Sequence, residues 1–467
     1  MEIALINTNR MKPPIAPIGL EYVAETLVKT GYRVEILDLC WEPDTENAID
    51  EFFRRKDFDL VGVTLRNTDD CAFTSRKSFI KNFVGIVNSV CDKTGAVVLL
   101  GGVGFSTMPE QILEYCRADA GVWGDGEVSF RELAGRIEAK QDWSDLPNLV
   151  IQQGSDWVRN PLSALSLEEL PAMDRDLFDN IRYFNEGGQA GFETKRGCPG
   201  KCVYCADPVA KGNSTRVRSP ESVAHELGKL LKQGIDRLHT CDSEFNIPEW
   251  HAKEVCRKII SAGLGKRLQW YAYCSPVPFS RELAVLMSSA GCTGINFGAD
   301  SGDAGILKRL NRNFTPEDIL TAARVCKEAG IAVMFDLLIG SPGETKESVT
   351  ETIELMKRSE ADVIGVNTGV RVYPGTMLKT QVETPDLKAG LVEGDGPTDP
   401  VFYIDTGIRD CIFELLDSLI GDNKRFFFFD PSKPDRNYNY NSNNRLIDAI
   451  QKGYRGAYWD ILRIYVP

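Results

Sequence analysis

Two successive series of short apolar strands, each alternating with amphipathic helices, constrain this chain more than any other feature. In the first series Ile3–Ile6, Val34–Leu37, Leu60–Leu65, Val97–Leu100 and Ala120–Trp123 are continuous apolar runs bounded by turn residues. Strands buried on both faces of a parallel sheet read in this way. Between the first two, Leu20, Val23, Ala24, Leu27 and Val28 fall at helical spacing, and Gly31 follows as a stop signal. The pattern predicts a Rossmann-like, doubly wound α/β sheet over residues 1–140. Residues 141–185 are proline-punctuated and read as a linker carrying a short hairpin around Leu149–Val158.

The second series covers residues 186–376. Its strands are Arg237–His239, Gln269–Ala272, Gly294–Phe297, Val333–Ile339 and Val363–Val366, with helices such as Pro220–Leu231 and Pro316–Gly330 between them. Such alternation predicts a full or partial β/α barrel. Residues 377–467 differ in character and read as a small C-terminal substrate or capping domain. They hold the aromatic run Phe426–Phe429, the Asn/Tyr stretch Asn437–Asn444 and a helical tail from Arg445. Phe426–Phe429 and Tyr438–Tyr440 read as core and loop packing, with a substrate-pocket lining as the alternative.

Charge narrows the partners. With 54 basic and 67 acidic residues the net charge is −13, which argues against nucleic acid, whose phosphates it would repel. No apolar run approaches the roughly 20 residues of a membrane span, and the opening Met1–Asn7 lacks the basic and apolar regions of a signal peptide. A cytoplasmic location is expected.

Most of the 13 cysteines are scattered, and in a reducing compartment such residues behave as small buried hydrophobes. One group differs. Cys198, Cys202 and Cys205 form a C-x3-C-x2-C cluster at the exit of the barrel's first strand. A zinc site wants four ligands, usually in two paired arms, and no nearby histidine completes a second arm here. Three thiolates with one position left open fit an iron–sulfur cluster. Buried or zinc-bound cysteines are the alternative.

With Tyr204 before the third cysteine, this segment resembles the radical S-adenosylmethionine (SAM) superfamily, whose signature is C-x3-C-x-aromatic-C. The resemblance implies a 4Fe–4S cluster on Cys198, Cys202 and Cys205 whose open iron chelates SAM. It implies a partial (β/α)6 radical SAM barrel for residues 186–376. In that family one electron cleaves SAM to methionine and a 5′-deoxyadenosyl radical. Later strand ends match in order: Asp242 and Glu244 where the family receives the SAM ammonium, Asp300 and Ser301 for ribose or carboxylate, Arg312 downstream, and Gly340 against adenine. Cys241–Asn246 departs from the family's commoner Gly-Gly-Glu form, so the choice between Asp242 and Glu244 is open.

The first domain resembles the cobalamin-binding domain that precedes the barrel in class B enzymes. The supporting positions are Gly101, Gly102, Gly104 and Ser106, then Gly124, Gly126 and Glu127. Glycines at strand ends let a sheet edge approach a large flat ligand. A cofactor-free sheet that braces the barrel is the alternative. No histidine precedes residue 224, so none from this domain can ligate cobalt. The resemblance instead puts Arg66 and Asn67 near the lower face, where a cation cannot coordinate cobalt; a surface Arg66–Asp70 contact is the rival reading.

Taken together, the chain is expected to be a cobalamin-dependent radical SAM C-methyltransferase. It would act on a small-molecule or peptide-derived substrate through methylcobalamin and a 5′-deoxyadenosyl radical. An external one-electron reductant of flavodoxin or ferredoxin type would feed the cluster. The competing expectation is radical chemistry without methyl transfer.

Overall fold

A computed structural model describes residues 1–163, 165–430, 440 and 443–465. The first sheet contains β1 (Glu2–Asn7), β2 (Arg33–Asp38), β3 (Leu60–Thr64), β4 (Val97–Gly101) and β5 (Ala120–Val122). They run parallel in the order β2-β1-β3-β4-β5. Helices cover both faces, giving two separate apolar layers, one around Phe83 and Val87 and one around Leu27 and Leu133. The hairpin expected within the linker, β6 (Leu149–Gln153) and β7 (Asp156–Arg159), joins this sheet instead. Leu149 and Val150 are apolar and pair antiparallel with Val122 and Gly121, which buries both.

The second sheet starts at β8 (Ala190–Phe192) and a short antiparallel pair, β9 (Lys195–Arg196) with β10 (Arg216–Val217), follows it. Next come β11 (Arg237–Thr240), β12 (Gln269–Cys274), β13 (Cys292–Asp300), β14 (Ala332–Ile339) and β15 (Val363–Thr368). The intervening helices begin at Ser219, Thr315 and Thr345, whose hydroxyls accept from backbone N–H groups of the first turn. A small antiparallel sheet of β16 (Val370–Arg371), β17 (Leu391–Val392) and β18 (Phe402–Tyr403) lies beyond.

The barrel sheet has seven strands rather than the expected six. The aromatic run supplies the seventh, β19 (Phe426–Phe428), parallel to β15 with Phe426 opposite Ile364. Phe426 and Phe428 are buried in the core, as packing residues should be. After it, the helix Tyr458–Tyr465 closes the barrel near its strand starts. Trp459 packs on Tyr271, and Tyr271 donates to Asp460 at 2.8 Å. Tyr438 and most of the Asn/Tyr stretch lie outside the described residues. No described helix is long and apolar enough to cross a membrane.

Two ionic networks join the halves. Arg196 of β9 reaches Asp125 at 2.7 Å, Glu127 at 2.9 Å and Glu193 at 2.8 Å. Deeper, Arg175 pairs with Glu21 and Glu226, each at 2.6 Å, and Arg218 shares Glu226 at 2.6 Å. Glu21 lies on the first domain's helix Ile18–Lys29, Arg175 in the linker and Glu226 on a barrel helix. Buried charges of this kind persist only when paired.

Candidate active site

The cysteine loop leaves β9 through Gly197, whose φ of +82° and a would-be Cβ 2.3 Å from the Ser214 carbonyl oxygen admit no side chain. Cys198, Cys202 and Cys205 are all half-buried. A Cβ on Gly200 would lie 3.2 Å from the Cys198 sulfur and 3.8 Å from that of Cys202, so the loop folds around both. Burial pushes the Cys198 thiol up to about 11 and raises Cys202 and Cys205 as well. Thiols so placed ionise only beside a cationic partner. A cluster of several irons supplies one, and three cysteines leave one iron open. The donor set therefore fits.

Arg312 organises the next layer. Its Nη1 donates to the Cys202 sulfur at 2.8 Å and its Nη2 to the Gly298 carbonyl at 2.8 Å, while its Nε lies 3.2 Å from Asp300. Tyr204 donates to Asp300 at 2.7 Å. Asp300 has a φ of +59° beside a register shift at the end of β13, a left-handed conformation unusual for a residue with a side chain. Glu244 faces the same space. Burial, partly offset by Arg312, raises its carboxyl to about 8, and it makes no hydrogen bond among the described residues. A protonated, unpartnered carboxyl there fits an incoming ammonium, which would ionise it.

Three expected SAM contacts are otherwise engaged. Asp242 accepts from Thr194 N at 2.7 Å, Thr194 Oγ1 at 2.6 Å and Lys195 N at 3.2 Å, fastening β9 to the loop after β11. Ser301 turns from the site to share a 3.0 Å hydrogen bond with Thr352. Gly340 donates its N–H to Glu344 at 2.6 Å and its carbonyl accepts from Asp405, so neither backbone group is open to adenine. Burial raises Glu344 itself to about 7.

A cavity of about 680 Å³ lies where the C-terminal edges of both sheets meet, with Arg66, Gly101, Gly102, Gly124 and Gly126 in its wall. Arg66 donates to the Asn67 amide at 3.1 Å and reaches no carboxylate among the described residues; burial lowers its pKa. An unpaired cation beside a glycine-lined edge fits a large cofactor with acceptor groups. Gly102 and Gly104 are also required by the chain itself: a Cβ would lie 2.4 Å from Leu65 O at Gly102 and 2.8 Å from Asn67 N at Gly104. Ser106 donates to Gly102 O at 2.9 Å and accepts from Gly124 N at 3.0 Å, bracing two strand ends. Glu127 lines the cavity, but Arg196 holds its carboxylate.

Sequence reasoning gave no role to His239, Asn296, Tyr458 and Trp459, which share this wall, or to Cys241 and Tyr273. For His239, Tyr273 and Asn296 the signal was faint: polar or aromatic residues at alternate positions of otherwise apolar strands, hence on the inward face. Cys241 lies past the end of its strand and Tyr458 and Trp459 on a C-terminal helix, where no such pattern marks them.

The model of the radical SAM superfamily matches residues 192–356, and that of the B12 binding domain matches residues 5–134. Tryptophan 2-C-methyltransferase of Streptomyces laurentii is 32% identical over 435 residues, which span 80% of this chain and 73% of that protein. The radical SAM methyltransferase TsrM of Kitasatospora setae, solved with tryptophan and a SAM analogue, superposes with a TM-score of 0.91 at 30% identity. The match covers 99% of this chain and 97% of that one. The same enzyme with cobalamin and a [4Fe-4S] cluster bound gives a TM-score of 0.90. From cysteine loop, glycine-edged sheet and these matches together, the chain belongs to the cobalamin-dependent (class B) radical SAM methyltransferases, acting on small molecules with a 4Fe–4S cluster, SAM and cobalamin.

Proposed function

We propose that the chain methylates a ring carbon of tryptophan or of a close indole relative. The observation that carries this reading is the end-to-end similarity to an enzyme solved with tryptophan bound. The aromatic wall supports it: Tyr273, Tyr458 and Trp459 face the cavity, and flat rings pack well against such surfaces.

In this reading Cys198, Cys202 and Cys205 hold the cluster. Glu244 takes the SAM ammonium, and Arg312 and Asp300 fix the space around it. Arg66 and Asn67, with the glycine edge at 101–102 and 124–126, receive cobalamin. Arg66 keeps a cation rather than a ligand beside the corrin. When bound, cobalamin supplies the transferable methyl group and SAM renews it. The cysteine loop is half-buried, which suits electron entry from an external flavodoxin- or ferredoxin-type donor.

Anaerobically purified, cobalamin-loaded protein, given methyl-deuterated SAM and tryptophan, should yield tryptophan heavier by one labelled methyl, with fragmentation placing it on the ring. Consumption of SAM with unlabelled tryptophan would reject the substrate.

A further inference from the structure

One titratable group in the cavity wall is used neither by the cluster loop nor by the sheet ends. His239, near the end of β11, is 7% exposed. Its Nδ1 lies 2.8 Å from the Thr240 carbonyl oxygen. A carbonyl only accepts, so Nδ1 carries the proton and Nε2 keeps its lone pair. Nε2 has no partner among the described residues, and the ring lines the cavity. Two neighbours fix its plane: Tyr271 stacks at 15° with centroids 6.3 Å apart, and Tyr273 lies 4.8 Å away at 45°. Burial also holds the imidazole down to about 4, so it is a neutral acceptor at physiological pH.

Asn296 in the same wall is less accessible than the His239 ring edge. Asn296 turns its amide nitrogen to Asp336 at 3.2 Å, and its oxygen is buried without a partner. A flat heteroaromatic entering between Tyr273 and Trp459 loses water from its ring N–H, which must then find an acceptor or bear the cost of desolvation.

We propose that His239 Nε2 accepts a hydrogen bond from the ring N–H of the substrate. This cavity then selects N–H-bearing heteroaromatics over isosteres that lack the donor, an inference that rests on the substrate reading above. His239 is here a specificity residue, and the reaction's proton and electron balance is untouched by it.

The test uses cobalamin- and cluster-loaded protein, with calorimetric Kd and separate kcat for tryptophan and 1-methyltryptophan. Wild type should prefer tryptophan about 10- to 100-fold. His239→Phe keeps a flat ring but no acceptor. It should weaken tryptophan binding by about the same factor, leave 1-methyltryptophan unchanged, and retain iron and the corrin spectrum. His239→Gln restores an acceptor and should recover most of the loss. Equal binding of the two ligands by wild type overturns the proposal even if no variant folds. So does a Phe variant that binds tryptophan normally or loses both ligands alike. Wild type that binds and methylates no tryptophan rejects the substrate reading, and this inference with it.

Discussion

Both halves of the molecule are seven-stranded sheets whose C-terminal edges face one cavity, yet they line it with different materials. The first sheet contributes glycines and backbone at 101–102 and 124–126, and the acids beside them, Asp125 and Glu127, are held by Arg196 of the other half. The barrel lines it with side chains such as His239, Asp242, Tyr273 and Asn296. Its strand ends carry, outside that lining, Glu244, Asp300, Arg312 and three thiols, several with shifted protonation. A large flat ligand is positioned by shape, which glycine provides. A small charged ligand on a redox cluster is positioned by side chains that give up hydration, which requires ionisable groups at fixed places.

If the division is sound, damage to one edge should spare the other. The largest effect is expected from Cys202→Ala, which should remove iron and cut turnover by about three orders of magnitude or more. Corrin binding should persist; loss of both cofactors, read by iron and cobalt analysis, would break the comparison. Gly102→Ala is the mirror experiment. Its methyl would meet Leu65 O and Thr64 Oγ1 at 2.4 and 2.5 Å with φ at +101°. Urea unfolding should show a loss of about 3 kcal/mol or more, with lower cobalamin occupancy and unchanged iron.

The barrel's ionisable character sharpens into a pH prediction at Glu344. Its native pKa is about 7, above the unfolded 4.5, so the folded state holds a proton that the unfolded state has released. Stability therefore falls as pH rises from 4.5 toward 7 and levels off above. Glu344→Gln should remove that slope, up to about 3 kcal/mol, in urea midpoints compared across pH with wild type. The smallest effect is expected of Ser301→Ala. Loss of the Thr352 contact should cost about 1 kcal/mol, while SAM affinity by equilibrium dialysis stays the same. A weakened SAM affinity would return Ser301 to the cofactor.

The sheets were legible because their strands are local apolar runs, and five of the first sheet's seven were placed that way. β19 was not, because Phe426–Phe428 carries no sign of its partner: its pairing with Ile364 is a long-range choice set by the barrel's open edge. The cysteine spacing announced itself, since few other uses require three thiols within eight residues. Which neighbour on a strand end turns toward the cysteine loop was harder to read. Asp242 and Glu244 are two apart, and Asp300 and Ser301 adjacent; one loop bend or one left-handed residue decides which of each pair turns inward. His239 and Tyr273 read as ordinary strand residues until the barrel curved them onto a common wall.

The closing of the barrel by β19 and the helix Tyr458–Tyr465 imposes an order in time. A chain made from its N-terminus completes the glycine-edged sheet and the cysteine loop while the segment that supplies Tyr458 and Trp459 is still unmade. Domains that emerge early fold early. During that interval the cavity lacks its far wall, so bulky cofactors meet an open cleft, and only the finished polypeptide turns it into a chamber selective for a small substrate.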